Sequence, residues 1–153
     1  DEALETLDYC IAGIHSGHRG SKDVITKRLM GALSNPHVDI ISHPTNRLLN
    51  ERDSSEADWD EIFKIVAKNN EQSSSTKKIL EINGYPNRLD LRDDLVRRAL
   101  QFGVKFVINT DAHALDQMNN MLFGVSVARR GWAEKEDIVN SWDWTNFAKW
   151  FKL

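Results

Sequence analysis

Four short strand-like runs recur along the chain: Tyr9–Ile14 (YCIAGI), Val38–Ile41 (VDII), Ile79–Ile82 (ILEI) and residues 105–110 (KFVINT), the last with Phe106, Val107 and Ile108 as its apolar part. Each is too short for a buried helix and has the continuous apolar character of a strand covered on both faces. Helical spacing fills the gaps between them. Ser21 is placed to cap a helix whose Ile25, Leu29 and Leu33 repeat every fourth residue, and Asn35-Pro36 stops it. Asp58 with Glu61 makes a capping-box-like start to a helix carrying Ile62, Phe63, Val66 and Ala67. Asp90 and Asp93 open a third helix bearing Leu91, Leu95, Ala99 and Leu100, which Gly103 closes. No two strand-like runs adjoin as a hairpin, so βα units in tandem predict an α/β fold with a parallel sheet. About four such units make half of an eight-stranded barrel, or a small doubly wound sheet.

In both architectures the functional groups sit where strands end. The first run ends at His15-Ser16-Gly17-His18, the second at Ser42-His43-Pro44, the third at Asn83-Gly84-Tyr85-Pro86-Asn87-Arg88 and the fourth at Asn109-Thr110-Asp111-Ala112-His113. Asp111 and His113, two apart, point to one side of a continuing strand. The alternative is that Asp111 caps the next helix and His113 is exposed in its first turn. One rim collecting His15, His43, Asp111 and His113 from separate strands points to divalent-metal ligation, because imidazole and carboxylate together suit Zn, Mn or Fe. A lone histidine at a strand end is more often a structural group. His18 reads as a surface residue in a Gly-rich turn, and His37 lies at a helix-to-strand turn away from that rim.

With 153 residues, the chain is long enough for one domain with a real core. The net charge of −3 argues against a dedicated nucleic-acid-binding module, though not against a local phosphate contact. One cysteine, Cys10, excludes an internal disulfide and reads as a core thiol. No apolar stretch reaches membrane-spanning length and the acidic start is no signal peptide, which suggests a cytoplasmic setting. The chain has no initiator methionine and is expected to be a fragment.

Several segments, taken together and in order, resemble one family. These are G-I-H-S-G at 13–17, I-I-S-H-P-T-N-R-L-L at 40–49, L-E-I-N-G-Y-P-N-R-L-D-L at 80–91, I-N-T-D-A-H at 108–113 and G-V-S-V-A-R-R-G-W at 124–132. They resemble the PHP (polymerase and histidinol phosphatase) domain, above all that of bacterial and archaeal family X DNA polymerases. The resemblance implies a distorted seven-stranded, TIM-like (β/α) barrel with a trinuclear metal centre, usually manganese. It also implies hydrolysis of DNA phosphodiesters, as a 3′→5′ exonuclease or in repair of DNA ends. Residue by residue, His15 and His43 match two histidines that share one metal, Asp111 the aspartate on a second and His113 the histidine on a third. The family's early H-x-H motif, the histidines after it and its bridging glutamate have no counterpart; Glu81 belongs to the later L-E-I-N motif. Residues 1–153 are therefore expected to be the C-terminal half of one such domain. The missing N-terminal half would be its partner, DNA the substrate of the parent protein, and the metal centre only partial. His18 departs from the pattern after H-S-G, and the polar stretch 69–78 is longer than the family's.

Arg47 and Arg88 each lie a few residues past a strand end, where a guanidinium can clamp a phosphate oxygen with two hydrogen bonds; solvated loop arginines are the alternative. Asn83 either orients a ligand or substrate, or caps the turn before Pro86, while Asn87 and Asp90 look structural. No catalytic acid or base is identified. Met121, Leu122, Val125, Val127, Ala128 and Trp132 are expected to pack on the sheet. Trp144, Phe147 and Phe151, at i, i+3 and i+7, form one helix face that closes the barrel or, uncovered, makes a sticky surface. Three readings stand: part of a polymerase-linked phosphoesterase that is inactive alone, a stand-alone phosphatase of histidinol-phosphatase type, or a non-catalytic scaffold.

Overall fold

The computed structural model describes residues 2–72, 76–151 and 153. It is an α/β fold with a four-stranded parallel sheet: β1 (Ile11–Ala12), β2 (Ile40–Ile41), β3 (Ile79–Asn83) and β4 (Phe106–Asn109), in the order β1-β2-β3-β4. The helices α1 (Lys22–Ser34), α2 (Trp59–Glu71) and α3 (Asp93–Leu100) connect successive strands. Helices α4 (Met121–Arg130) and α5 (Trp144–Phe151) follow β4. The chain advances one strand at a time and the order does not reverse, so the described strands contain no switch point of the doubly wound kind.

Right-handed crossovers taken always in the same direction leave the connecting helices on one face of a sheet. The packing follows that rule. Ile25, Leu29 and Leu33 of α1, Ile62, Phe63 and Val66 of α2, and Leu95, Val96 and Ala99 of α3 join Ile41, Leu80, Ile82, Phe106 and Ile108 in the main core. The alternate strand residues Ile40, Ile79 and Val107 face the other way and meet Val139, Trp142, Trp150 and Phe151. Period-two alternation thus gives β3 two different faces: Leu80 and Ile82 toward the helices, Glu81 and Asn83 away from them.

Local signals placed the helices well. Ser21 Oγ accepts from the Val24 amide at the start of α1, and Asp58 Oδ1 accepts from the Glu61 amide at the start of α2. Gly103 ends the third unit in the left-handed region, with φ +76°. Asp90, by contrast, does not open α3; Arg92 is its N-cap residue, and Asp93 and Asp94 occupy the first turn. The polar stretch 69–78 begins as the last turn of α2, and its residues 73–75 lie outside the described residues.

Two expectations about packing change. The first strand shrinks from six residues to Ile11–Ala12, because it lies at the sheet edge; Tyr9 and Ile11 are exposed and Cys10 is half-buried. There the Asp39 carboxylate accepts the Cys10 amide at 2.8 Å and so takes over a ladder bond. In α4 only Gly124, Val127 and Ala128 are buried, while Met121 and Leu122, and Trp132 two residues past the helix, face solvent. Trp132 lies beneath the Arg97 guanidinium, 3.5 Å from its ring centroid, instead of on the sheet.

Candidate functional site at the C-terminal ends of the strands

The structure brings His15 and His43 together from neighbouring strand ends. Their rings meet edge to face with centroids 5.1 Å apart. Gly13 makes this possible. A Cβ there would collide with Ser42 Oγ and lie 2.8 Å from His15 Nε2 and 3.2 Å from His43 Cε1.

His43 is held by its surroundings. It is only 5% exposed, its φ of +27° is unusual for a side-chain-bearing residue, and its amide donates to Glu81 Oε2 at 2.6 Å. Glu81 is itself buried and collects two more donors, Asn83 Nδ2 at 3.2 Å and Asn109 Nδ2 at 2.8 Å. Burial raises the Glu81 pKa, and these three donors oppose the rise. A second buried carboxylate supports the same loop: Asp90 Oδ1 accepts the Thr45 amide at 3.1 Å. Burial pushes the Asp90 pKa up to about 6, against the pull of the Thr45 donors and the nearby Arg47 charge. Asn83, for which the sequence offered either ligand orientation or a cap on the turn before Pro86, accepts the Tyr85 amide at that turn and donates its Nδ2 to Glu81.

The imidazole of His43 is strongly biased toward its neutral form. Burial, with the positive charge of Arg88 second, lowers its pKa to about 4. His43 Nδ1 is buried and has no hydrogen-bond partner among the described residues. A neutral ring with an unsatisfied nitrogen is chemically a metal ligand or a proton acceptor.

Asp111 and His113 form the other half of the rim and are arranged differently. Asp111, in the left-handed region at φ +53°, pairs with Arg88, Nε to Oδ2 at 3.1 Å. Its charge, like those of Arg88 and His15, acts on His43. His113 is exposed: its Nδ1 lies 2.7 Å from its own turn's Asp111 carbonyl, and Gln117 Oε1 accepts its amide. Its ring meets Tyr85 edge-on at 6.3 Å. Among the described residues, no group of three His, Cys, Asp or Glu side chains converges closely enough to hold a metal ion.

The two arginines differ as well. Arg47 is spent on backbone, its Nε donating to the Arg88 carbonyl at 2.6 Å and its Nη2 to the Leu89 carbonyl. Arg88 has a buried Nη1 with no partner among the described residues. His18, expected at the surface, is half-buried, and burial and Arg52 lower its pKa. His37 lies apart from the rim, 3.6 Å from Glu5.

Sequence reasoning missed Gly13 and the role of Glu81, and it read Asp90 as structural but at the start of α3 instead of beneath Thr45. Glu81 had a signal: a carboxylate inside the ILEI run has to be paired or hydrogen-bonded if that strand is buried. Gly13 had none, because the atoms it makes room for lie on another strand.

No protein-family profile matches the chain. It is 43% identical over 141 residues to the DNA polymerase/3′-5′ exonuclease PolX of Bacillus subtilis (strain 168), covering 92% of this chain and 24% of that protein. It is 26% identical over 142 residues to a protein of Thermoanaerobacter sp. (strain X514) named "Probable phosphatase", covering 90% of this chain and 55% of that one. A protein of the same name from Caldicellulosiruptor bescii is 29% identical over 120 residues, covering 74% of this chain and 45% of its own. The chain therefore spans about a quarter of the Bacillus relative and about half of each phosphatase-named relative. By these matches the chain is homologous to a DNA polymerase/3′-5′ exonuclease and to phosphatase-named proteins.

Proposed function

We propose that this chain is the C-terminal half of a PHP-type, TIM-like barrel, and that in its parent protein it belongs to a metal-dependent phosphoesterase that hydrolyses DNA phosphodiesters. The observation that carries this reading is the His15–His43 pair: two imidazoles in a space kept open by Gly13, one with a buried, unpartnered nitrogen. The kinship with a protein named a 3′-5′ exonuclease supports the substrate class.

The residues fit a divalent ion in part. His15 and His43 would hold it, Asp111 and His113 would serve neighbouring ions, and the described residues offer no third donor beside the pair. Manganese, zinc and iron all suit this donor chemistry. A bound divalent ion would bring the pKa of a coordinated water toward neutrality and polarise a phosphoryl oxygen. The chain's own contribution is preparation. Glu81 and Asp90 fix the backbone that carries His43, and the burial that lowers the His43 pKa keeps the imidazole lone pair available at neutral pH. Arg88 holds Asp111 through Nε, and its enclosed, unpartnered Nη1 would serve a phosphate oxygen only after the side chain turns outward, while Arg47 positions Arg88 by gripping its carbonyl. No helix among the described residues is long and apolar enough to cross a membrane, and the working compartment we propose is the cytoplasm, where DNA is met.

The phosphatase-named relatives favour a second reading, a stand-alone phosphatase acting on a small phosphomonoester. A non-catalytic scaffold is the third. Titration of the chain with Mn2+ and Zn2+, beside a His15→Ala/His43→Ala double variant, tests the site; binding that is equal in both overturns it. In the parent protein, His43→Ala and Asp111→Ala are each expected to abolish metal-dependent cleavage of DNA while leaving the fold intact, and full activity in both overturns the assignment. The isolated chain is expected to show little or no nuclease activity. Preference for small phosphomonoesters over DNA ends decides for the second reading.

A further inference from the structure

At the other end of the sheet lies a groove of about 620 Å3 that the rim chemistry does not use. It opens near the N-terminal ends of the strands: Lys77 on its wall comes two residues before β3 begins, whereas the histidine rim lies past the strands' C-terminal ends. Trp142 and Trp150, edge to face with centroids 5.2 Å apart, form its apolar wall. Both also pack on the small core of Ile40, Ile79, Val107 and Val139, which anchors them.

Three features specify what this groove can take. The indole Nε1 of Trp150 is buried and has no acceptor among the described residues, although a buried Trp N–H usually finds one. The ammonium of Lys77 sits 5.5 Å from the Trp150 ring centroid and is held by the Asn70 carbonyl at 2.6 Å. Lys135 and Lys149 also line the groove and have no carboxylate partner among the described residues. The lining also carries two carboxylates, Glu136 and Asp143, the latter accepting both the backbone and side-chain amides of Asn146, so three lysines face two anions and the balance is positive by one. The ligand that answers them is flat and anionic, and it has to shift the Trp150 ring before an acceptor on it can reach the enclosed indole N–H.

We propose that this groove binds a nucleotide, with its base against Trp142 and Trp150 and its phosphate on Lys135 and Lys149. The volume is within the range of small-ligand pockets. Aromatic stacking combined with lysine–phosphate contacts is also how single strands are held without sequence preference. The shared chemistry covers a free nucleotide and a nucleotide within a DNA strand. The inference is independent of the phosphoesterase assignment, because none of its residues belongs to the rim.

The test uses the whole chain with two probes, thymidine monophosphate and a fluorescently labelled oligothymidylate. Binding is followed by anisotropy for the labelled strand and by the Trp150 indole N–H resonance for both, the latter assigned with Trp150→Phe. Binding with a shift of that resonance is expected. Lys135→Glu/Lys149→Glu is expected to weaken it at least tenfold and to flatten its salt dependence without changing the melting temperature. Equal affinity for the two probes identifies a free-nucleotide site; binding of the oligonucleotide alone identifies a strand-holding site. An unmoved Trp150 resonance at saturating probe, or unchanged affinity in the charge-reversed variant, overturns the proposal. Metal-site variants such as His43→Ala are expected to leave this binding intact, which separates its failure from failure of the phosphoesterase reading.

Discussion

The two halves of the rim are built by opposite means. His43 is positioned from outside its own segment, by Glu81 from β3 and by the loop contact of Asp90 with Thr45, and its ring is buried against His15. Asp111 and His113 form a turn that largely satisfies itself, with His113 bonded to the Asp111 carbonyl and Gln117, and Asp111 facing Arg88. The first half resists change because several elements over-determine it. In the second, His113 is exposed and bonded within its own turn, and Asp111 is half-buried with one distant partner, Arg88. Precision of placement follows from long-range partners, and local turns supply only orientation.

The comparison can be broken most severely at Gly13. Gly13→Ala drives a methyl into Ser42 and His15, so metal binding in a calorimetric titration is expected to fall at least tenfold, with a loss of about 1–3 kcal/mol in denaturant stability from overpacking. Wild-type affinity in that variant would show that the pair does not depend on the space at Gly13.

A buried carboxylate tests the support beneath His43. Asp90 has a folded pKa of about 6 against an ordinary 3.8, so the folded state holds its proton more tightly than the unfolded one. That contribution to stability is fully present below pH 3.8 and is lost as pH rises through 6, on the order of 3 kcal/mol in all. Asp90→Asn is therefore expected to flatten the melting-temperature profile between pH 4 and pH 7. A profile identical to wild type would show that this carboxyl does not titrate in that window.

Glu81→Gln sharpens the same point. It places an amide NH2 where the His43, Asn83 and Asn109 donors now converge on two oxygens, with an expected cost of about 1–3 kcal/mol. Loosening of His43 should also weaken metal binding, read by titration at a temperature where the variant stays folded. His113→Ala is the smallest test. An exposed ring held by its own turn should change stability by no more than about 0.5 kcal/mol, and a larger loss in a urea melt would mean that its contact with Tyr85 carries weight.

The sequence by itself determined the features whose physics is short-ranged. The capping roles of Ser21 and Asp58, the turn at Gly103 and the apolar spacing of α1 follow from residues within one or two helical turns. Alternation of βα units placed His15, His43, Asp111 and His113 just past strand ends. What tertiary structure decided are relations between residues far apart in the chain: Glu81 with His43, Asp90 with Thr45, Arg88 with Asp111, and Gly13 with Ser42. The exposure of Trp132, the commitment of Arg47 to backbone carbonyls and the shortening of β1 belong to the same class. A hydrogen bond across 38 residues has no trace in local spacing, because its geometry exists only after two strands have paired.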